Sequence, residues 1–117
     1  GVSSAASDVY KRQTVSTEWS YLDWPVSSAD LEKLRGVRFV FTSGSHALEI
    51  DGVELLENGK VIDRDRHAGL AGKPSRGNFY KLSLPKGIHA NNGCSLRARV
   101  RSVGGKSSNG KLELVKE

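Results

Sequence analysis

Hydrophobic residues along this chain recur mainly with a period of two, so the pattern predicts strands rather than helices. The run 37–62, V-R-F-V-F-T-S-G-S-H-A-L-E-I-D-G-V-E-L-L-E-N-G-K-V-I, organises the rest. Val37, Phe39 and Phe41 alternate with Arg38 and Val40, as a strand with one buried face requires. Ser43-Gly44-Ser45 is a turn signal, after which Leu48 and Ile50 resume the alternation. Val53 and Leu55 fall on the opposite parity, so an extra residue at Asp51-Gly52 is expected to form a β-bulge or tight bend. Asn58-Gly59, between Leu56 and Val61, predicts a hairpin turn. Together these signals predict three consecutive strands in an antiparallel meander, covered by a second apolar surface from the remaining chain.

On either side the same period continues. Residues 17–24 set Trp19, Tyr21 and Asp23 against Ser20, Leu22 and Trp24, a first strand that Pro25 is expected to end. Ser27 is an N-cap for a short helical turn near 27–34, with Asp30 and Glu32 early in it, and Gly36 closes that segment. Residues 61–65 form the return strand of the hairpin, and 68–77 read as a loop. In 79–85 the side chains of Tyr80, Leu82 and Leu84 share a face. After a loop at 86–93, Cys94, Leu96, Ala98 and Val100 point one way and Ser95, Arg97, Arg99 and Arg101 the other. A third loop, 104–110, precedes Leu112 and Leu114 on the last strand. About seven strands at this spacing predict an all-β, antiparallel β-sandwich, with a closed barrel as the alternative. Phe39, Phe41, Leu48, Ile50, Leu82, Leu96 and Val100 are the expected core.

With 117 residues the chain is long enough for one domain, assigned to 14–117. Residues 1–13, G-V-S-S-A-A-S-D-V-Y-K-R-Q, are small and polar without apolar periodicity. They resemble translated sequencing-adapter read-through and are expected to be a non-native or disordered segment. That resemblance implies a C-terminal, metagenomic fragment of a longer protein. No apolar run approaches the roughly 18–20 residues of a membrane helix, so no membrane span is expected. Cys94 is the single cysteine, which excludes an internal disulfide. The net charge of +5 permits an anionic partner without specifying one.

Candidate chemistry is sparse. His46, His67 and His89 fall in no spaced Cys/His cluster, so no metal and no cofactor is expected. Asp63, Asp65 and Asn78 carry oxygens of the kind calcium uses, though solvated hairpin acids are the plainer reading. Glycoside cleavage needs two carboxyl groups about 5–10 Å apart in a cleft. Asp51, Glu54, Glu57, Asp63 and Asp65 fall instead on hairpin edges and strand faces, and Ser43, Ser45 and His46 lie in no nucleophile-elbow pattern. No catalytic residue is therefore predicted. Arg97, Arg99 and Arg101 form a basic face, either an anion stripe or a set of cross-strand pairs with acids such as Glu49, Glu54 or Glu113. No aromatic residue follows Tyr80, which argues against single-stranded nucleic acid as a partner. Trp19, Tyr21 and Phe79 are candidates for a sugar platform, whereas Trp24, in phase with Leu22, belongs to the core.

The runs F-T-S-G-S-H-A-L-E-I-D-G-V-E-L-L-E-N-G-K-V-I, D-R-H-A-G, N-F-Y-K-L, L-R-A-R-V-R and G-G-K-S-S-N-G carry a resemblance covering about 17–114. It is to the β-sandwich accessory modules that sit beside the catalytic barrel, often C-terminally, in bacterial glycoside hydrolases of the β-N-acetylhexosaminidase type. The resemblance implies a non-catalytic, carbohydrate-binding-like module of a secreted or periplasmic enzyme. Its partners would be the catalytic domain of the same polypeptide and a glycan. Loops 66–77 and 104–110 are expected to meet at one end of the sandwich. Their polar residues and neighbours, Asp65, His67, Asn78, Phe79, Ser107 and Asn109, are the candidate ligand-binding set. The family's last loop often carries acids near Val103 and Ser107, and this chain has none between Val103 and Lys111. The alternative is a free-standing interaction module that binds an acidic partner through Arg97, Arg99 and Arg101.

Overall fold

A computed structural model describes residues 12–117, which form two antiparallel sheets and one short helix. The elements are β1 (Gln13–Thr14), β2 (Ser20–Val26), α1 (Ser28–Lys33), β3 (Leu34–Ser43), β4 (Leu48–Glu57) and β5 (Lys60–Asp65). Then follow β6 (Gly69–Ala71), β7 (Phe79–Lys81), β8 (Cys94–Ser102) and β9 (Asn109–Lys116). One sheet has the order β1-β9-β3-β7, the other β2-β8-β4-β5, with β6 also paired to β4. The all-β sandwich is thus the observed fold, and each of the seven expected strands is present. The expectation for residues 1–11 lies outside the described residues. Gln13 pairs with Gly110, so the folded domain begins no later than Gln13.

The alternation reports the core faithfully. Along β8 every second residue from Cys94 to Ser102 is buried, and β9 behaves in the same way from Gly110 to Leu114. Phe39, Leu48, Ile50, Leu82, Leu96 and Val100 are all fully buried, drawn from both sheets, while Phe41 is half-buried. The register of β4 on β8 slips between Ile50 and Gly52. The resulting bulge lets Leu48, Ile50, Val53 and Leu55 all face the core despite their mixed parity. Asn58 (φ 49°) and Gly59 (φ 85°) both take the left-handed conformation of a two-residue hairpin turn between β4 and β5.

The meander is corrected. β3 and β4 lie in different sheets: β3 pairs with β9 and β7, and β4 with β8, β5 and β6. The turn at Ser43-Gly44-Ser45 therefore crosses from one sheet to the other. Each strand has one apolar face, and placing the two opposite one another buries both at once. Phe39 and Leu48 meet above Gly110, where a Cβ would lie 2.6 Å from Phe39 Cζ and 2.9 Å from Leu48 Cδ1.

Three further expectations change. Pro25 does not end β2, since the strand continues to Val26 with Pro25 opposite Ser95. β2 is an edge strand, where a missing N–H leaves no ladder bond unmade. The 68–77 segment is not wholly loop, because Gly69–Ala71 adds β6 to β4. The strand expected over 79–85 is regular only for Phe79–Lys81, after which Leu82 N–H still donates to Arg35 O (3.2 Å). The helix forms where the cap placed it: Ser27 Oγ accepts from Asp30 N–H (3.2 Å), and Leu31 is buried. Lys116 Nζ meets Asp30 Oδ1 at 2.9 Å with both side chains nearly buried, tying the last strand to α1.

Candidate functional site

The candidate residues Asp65 and His67 sit on a seam between the sheets. β5 is an edge of one sheet and β7 an edge of the other. Alternate side chains of the 63–67 segment bond to alternate backbone groups of the 79–83 segment. Asp63 Oδ2 accepts from Ser83 N–H (3.0 Å), Asp65 Oδ2 accepts from Lys81 N–H (2.7 Å), and His67 Nε2 donates to Phe79 O (2.9 Å). A carbonyl only accepts, so this hydrogen bond requires the proton on Nε2. The His67 ring stacks on Tyr80 with centroids 4.1 Å apart and planes 10° from parallel. Tyr80 hydroxyl donates to His67 O (2.7 Å). Burial raises the Tyr80 phenol pKa well above its ordinary value, and the Asp51 and Asp65 carboxylates push the same way. These groups are committed to joining the two sheets.

Asn78 prolongs the β3–β7 ladder beyond the end of β7. Its carbonyl accepts from Phe39 N–H (3.0 Å), and its side-chain Nδ2 donates to Phe39 O (2.8 Å) in place of a backbone amide. Phe79 is exposed at 38% and covers Gly36, where a Cβ would lie 2.6 Å from the ring. Arg38 Cζ stands 5.8 Å from the Phe79 centroid.

Ser107 and Asn109 are elsewhere. Asn109 accepts from Thr14 Oγ1 (2.7 Å) and donates to Ser43 Oγ (3.1 Å) and Ser107 O (3.2 Å), at the corner formed by β1, β9 and β3. In register it faces Ser43, on the opposite side of β3 from Asn78 and about 13 Å further along that strand. The loops 66–77 and 104–110 both pack against the 43–47 crossing. Gly72 lies against Ala47, and the His46 ring lies against Gly104 and Gly105. Ser108 Oγ donates to His46 O (2.6 Å) and accepts from His46 N–H (3.1 Å), closing that corner.

The basic face is internally matched. Arg97 pairs with Glu54 (2.6 Å), Arg99 with Asp51 and Arg101 with Glu49 (2.8 Å). The hydrogen bonds to Glu54 hold Arg97 more firmly protonated than usual. Tyr21 covers Arg97 (4.6 Å), and Trp19 covers Arg99 (4.7 Å) and Arg101 (4.9 Å). Glu113 lies on the other sheet, opposite Arg38. Aromatic and basic residues do not interleave along the chain here, because the rings come from β2 and the residue just before it and the guanidinium groups from β8. A hollow of about 50 Å³ beside Tyr21, Arg66 and Arg97 has room only for a few waters.

An open cleft of about 430 Å³ runs along the outer side of β3. Val40 and Phe41 supply its apolar surface, Arg38 and Glu113 border it on the sheet, and Lys73, Ser75 and Asn78 border it from the 72–78 segment. A second hollow, about 270 Å³, continues it past Phe41 and Lys73 to Ala47. Among the described residues, Arg38, Lys73 and Glu113 make no ion pair or side-chain hydrogen bond, and the Arg38 guanidinium stands over the Phe79 ring. Of the sequence-based candidates, Asn78 alone lines this cleft. The sequence pattern does not mark Arg38, Val40, Phe41, Lys73 or Glu113 as ligand-binding, although the outward parity of Arg38 and Val40 is a usable signal.

No group of three His, Cys, Asp or Glu side chains converges among the described residues. The oxygens of Asp63 and Asp65 are turned to backbone amides, and Asn78 turns its nitrogen to Phe39. No helix among the described residues is long and apolar enough to cross a membrane. The chain matches no protein-family model and no curated protein sequence.

Proposed function

We propose that this chain is a non-catalytic β-sandwich module that works beside the catalytic domain of a secreted or periplasmic glycoside hydrolase, of β-N-acetylhexosaminidase type. In this role it offers a glycan the cleft along β3. The observation that carries the proposal is the composition of that cleft. Sugar rings present apolar C–H faces and a rim of hydroxyl groups. Val40 and Phe41 match the former, and Arg38, Lys73 and Asn78 the latter.

The distribution of acids favours binding over cleavage. Asp30, Glu49, Asp51 and Glu54 are paired with basic groups, Glu57 with Asn91, and Asp63 and Asp65 with backbone amides. Glu113 is the single carboxylate that lines the cleft, whereas hydrolysis by paired acids needs two. The alternative, an acidic partner on Arg97, Arg99 and Arg101, is less well supported, since each of those charges already has a carboxylate partner.

Titration of the 117-residue chain with chitooligosaccharides, followed by amide chemical shifts, tests the proposal. Saturable shifts at Val40, Phe41, Gly72, Lys73 and Asn78 are expected. Their absence at millimolar sugar overturns the N-acetylhexosamine reading of the cleft.

A further inference from the structure

We infer that the cleft along β3 selects an acidic sugar, a glycan bearing uronate carboxylates, with Arg38 and Lys73 as the groups that bind the carboxylate. This rests on the glycan reading of the same cleft and adds the class of sugar. The inference comes from a contrast between the two outer faces. On the five-stranded sheet Arg97, Arg99 and Arg101 each meet a carboxylate and an aromatic ring. On the four-stranded sheet Arg38 stands opposite Glu113 in register, yet the two form no ion pair. Arg38 lies instead over Phe79, a contact that holds the guanidinium by dispersion and ring charge and occupies none of its N–H groups. The fork is thereby held in place with its donors open, which suits bidentate binding of a planar carboxylate.

Lys73 faces the same space from the opposite wall without an anionic partner. The turn that carries it is pinned by Ser75, whose Oγ accepts from Gly72 N–H (2.9 Å) and donates to Gly72 O (2.8 Å). Lys111, beside Val40 in register, adds a third positive charge to the surroundings, against the single negative charge of Glu113. An anion in this cleft is therefore attracted. The apolar surface of Val40 and Phe41 favours an anion with a hydrocarbon face, as a pyranose ring has, over a bare inorganic ion. A volume of about 430 Å³ lies within the roughly 300–1,000 Å³ of small-ligand sites.

The experiment compares tri-galacturonate, chitotriose and acetate as probes of the 117-residue chain at low and moderate salt, by calorimetry and amide shifts. Tri-galacturonate is expected to bind at least about tenfold more tightly than chitotriose, a gap that narrows as salt rises. Arg38→Gln and Lys73→Gln should each weaken tri-galacturonate by about tenfold and chitotriose by clearly less, while Glu113→Gln should strengthen tri-galacturonate. Arg38 and Lys73 are exposed and Glu113 half-buried, and an unchanged circular dichroism melt checks that each variant folds. Equal affinity for the two trisaccharides in the cleft overturns the inference and leaves the glycan reading standing. Binding of neither overturns both. Shifts from tri-galacturonate centred on Arg97, Arg99 and Arg101 overturn the assignment of the carboxylate site. Acetate bound in the cleft as tightly as tri-galacturonate reduces the site to a simple anion contact and overturns it as well.

Discussion

Replacing Asp65 by alanine tests whether the seam residues are structural. The Asp65 carboxylate accepts Lys81 N–H at 2.7 Å and lies 3.7 Å from His67 Nε2, and its side chain is 30% exposed. A hydrogen bond to a charged acceptor contributes about 1.5–3 kcal/mol, and partial exposure lets water replace some of it. The expected loss for Asp65→Ala is therefore about 1–2 kcal/mol. At roughly 4–8 °C per kcal/mol for a domain of this size, the melting midpoint should fall by something on the order of 10 °C. Asp65→Asn keeps an acceptor oxygen without the charge and should lose less. Urea denaturation at neutral pH gives the free energies, and hydrogen exchange at Lys81 should quicken in the alanine variant. A change within about 0.5 kcal/mol, the ordinary range for a surface substitution, refutes the structural role. An equal loss in the two variants would place the contribution in the carboxylate's charge rather than in its acceptor oxygen.

Asn78→Ala removes the side-chain donor to Phe39 O in a part-buried bond and should cost about 1–3 kcal/mol in the same denaturation assay; an unchanged midpoint would show that water replaces it. Phe39→Ala empties a fully buried site between the sheets and should cost about 3–5 kcal/mol, with a near-neutral result placing Phe39 outside the core. Tyr80 has its phenol pKa raised in the folded state, so the stability it contributes is complete below about pH 10 and is lost as pH rises above that, where the unfolded chain ionises first. Denaturation on both sides of pH 10 should show a steeper decline for the native protein than for Tyr80→Phe, and matching slopes would contradict this. Cys94 is buried and its thiol pKa is raised, by burial first and by Glu57 second, so a disulfide reagent should label it slowly when folded and quickly in denaturant.

Local features of the fold were legible because their causes are local. The alternation of 94–101, the Asn58-Gly59 turn, the extra residue at Asp51-Gly52 and the Ser27 cap each depend on neighbours a few positions away, and each forms where the pattern places it. Strand partners depend on the whole chain. A turn at Ser43-Gly44-Ser45 marks a reversal without showing whether the chain returns within the sheet or across the core. Pairing of β3 with β9 and of β4 with β8 decided for the crossing.

The site divides in the same way. That Arg97, Arg99 and Arg101 share an outer face follows from a period of two, and charge offers Glu49, Glu54 and Glu113 as possible partners, of which the structure pairs Glu49 and Glu54 and adds Asp51. That Tyr21, and Trp19 just before β2, cover them follows only from the pairing of β2 with β8. Asp65 and His67 are polar residues near a glycine-rich loop in the sequence, and only the meeting of two sheet edges turns them into a seam. The cleft has no counterpart in any short stretch. Arg38 and Lys73 are 35 positions apart, and the 72–78 segment must fold back along β3 before they share a space. Chain alternation determined which side chains face outward. The packing of β7 and its preceding loop on the edge of β3 decided which of those charges would be left without a partner.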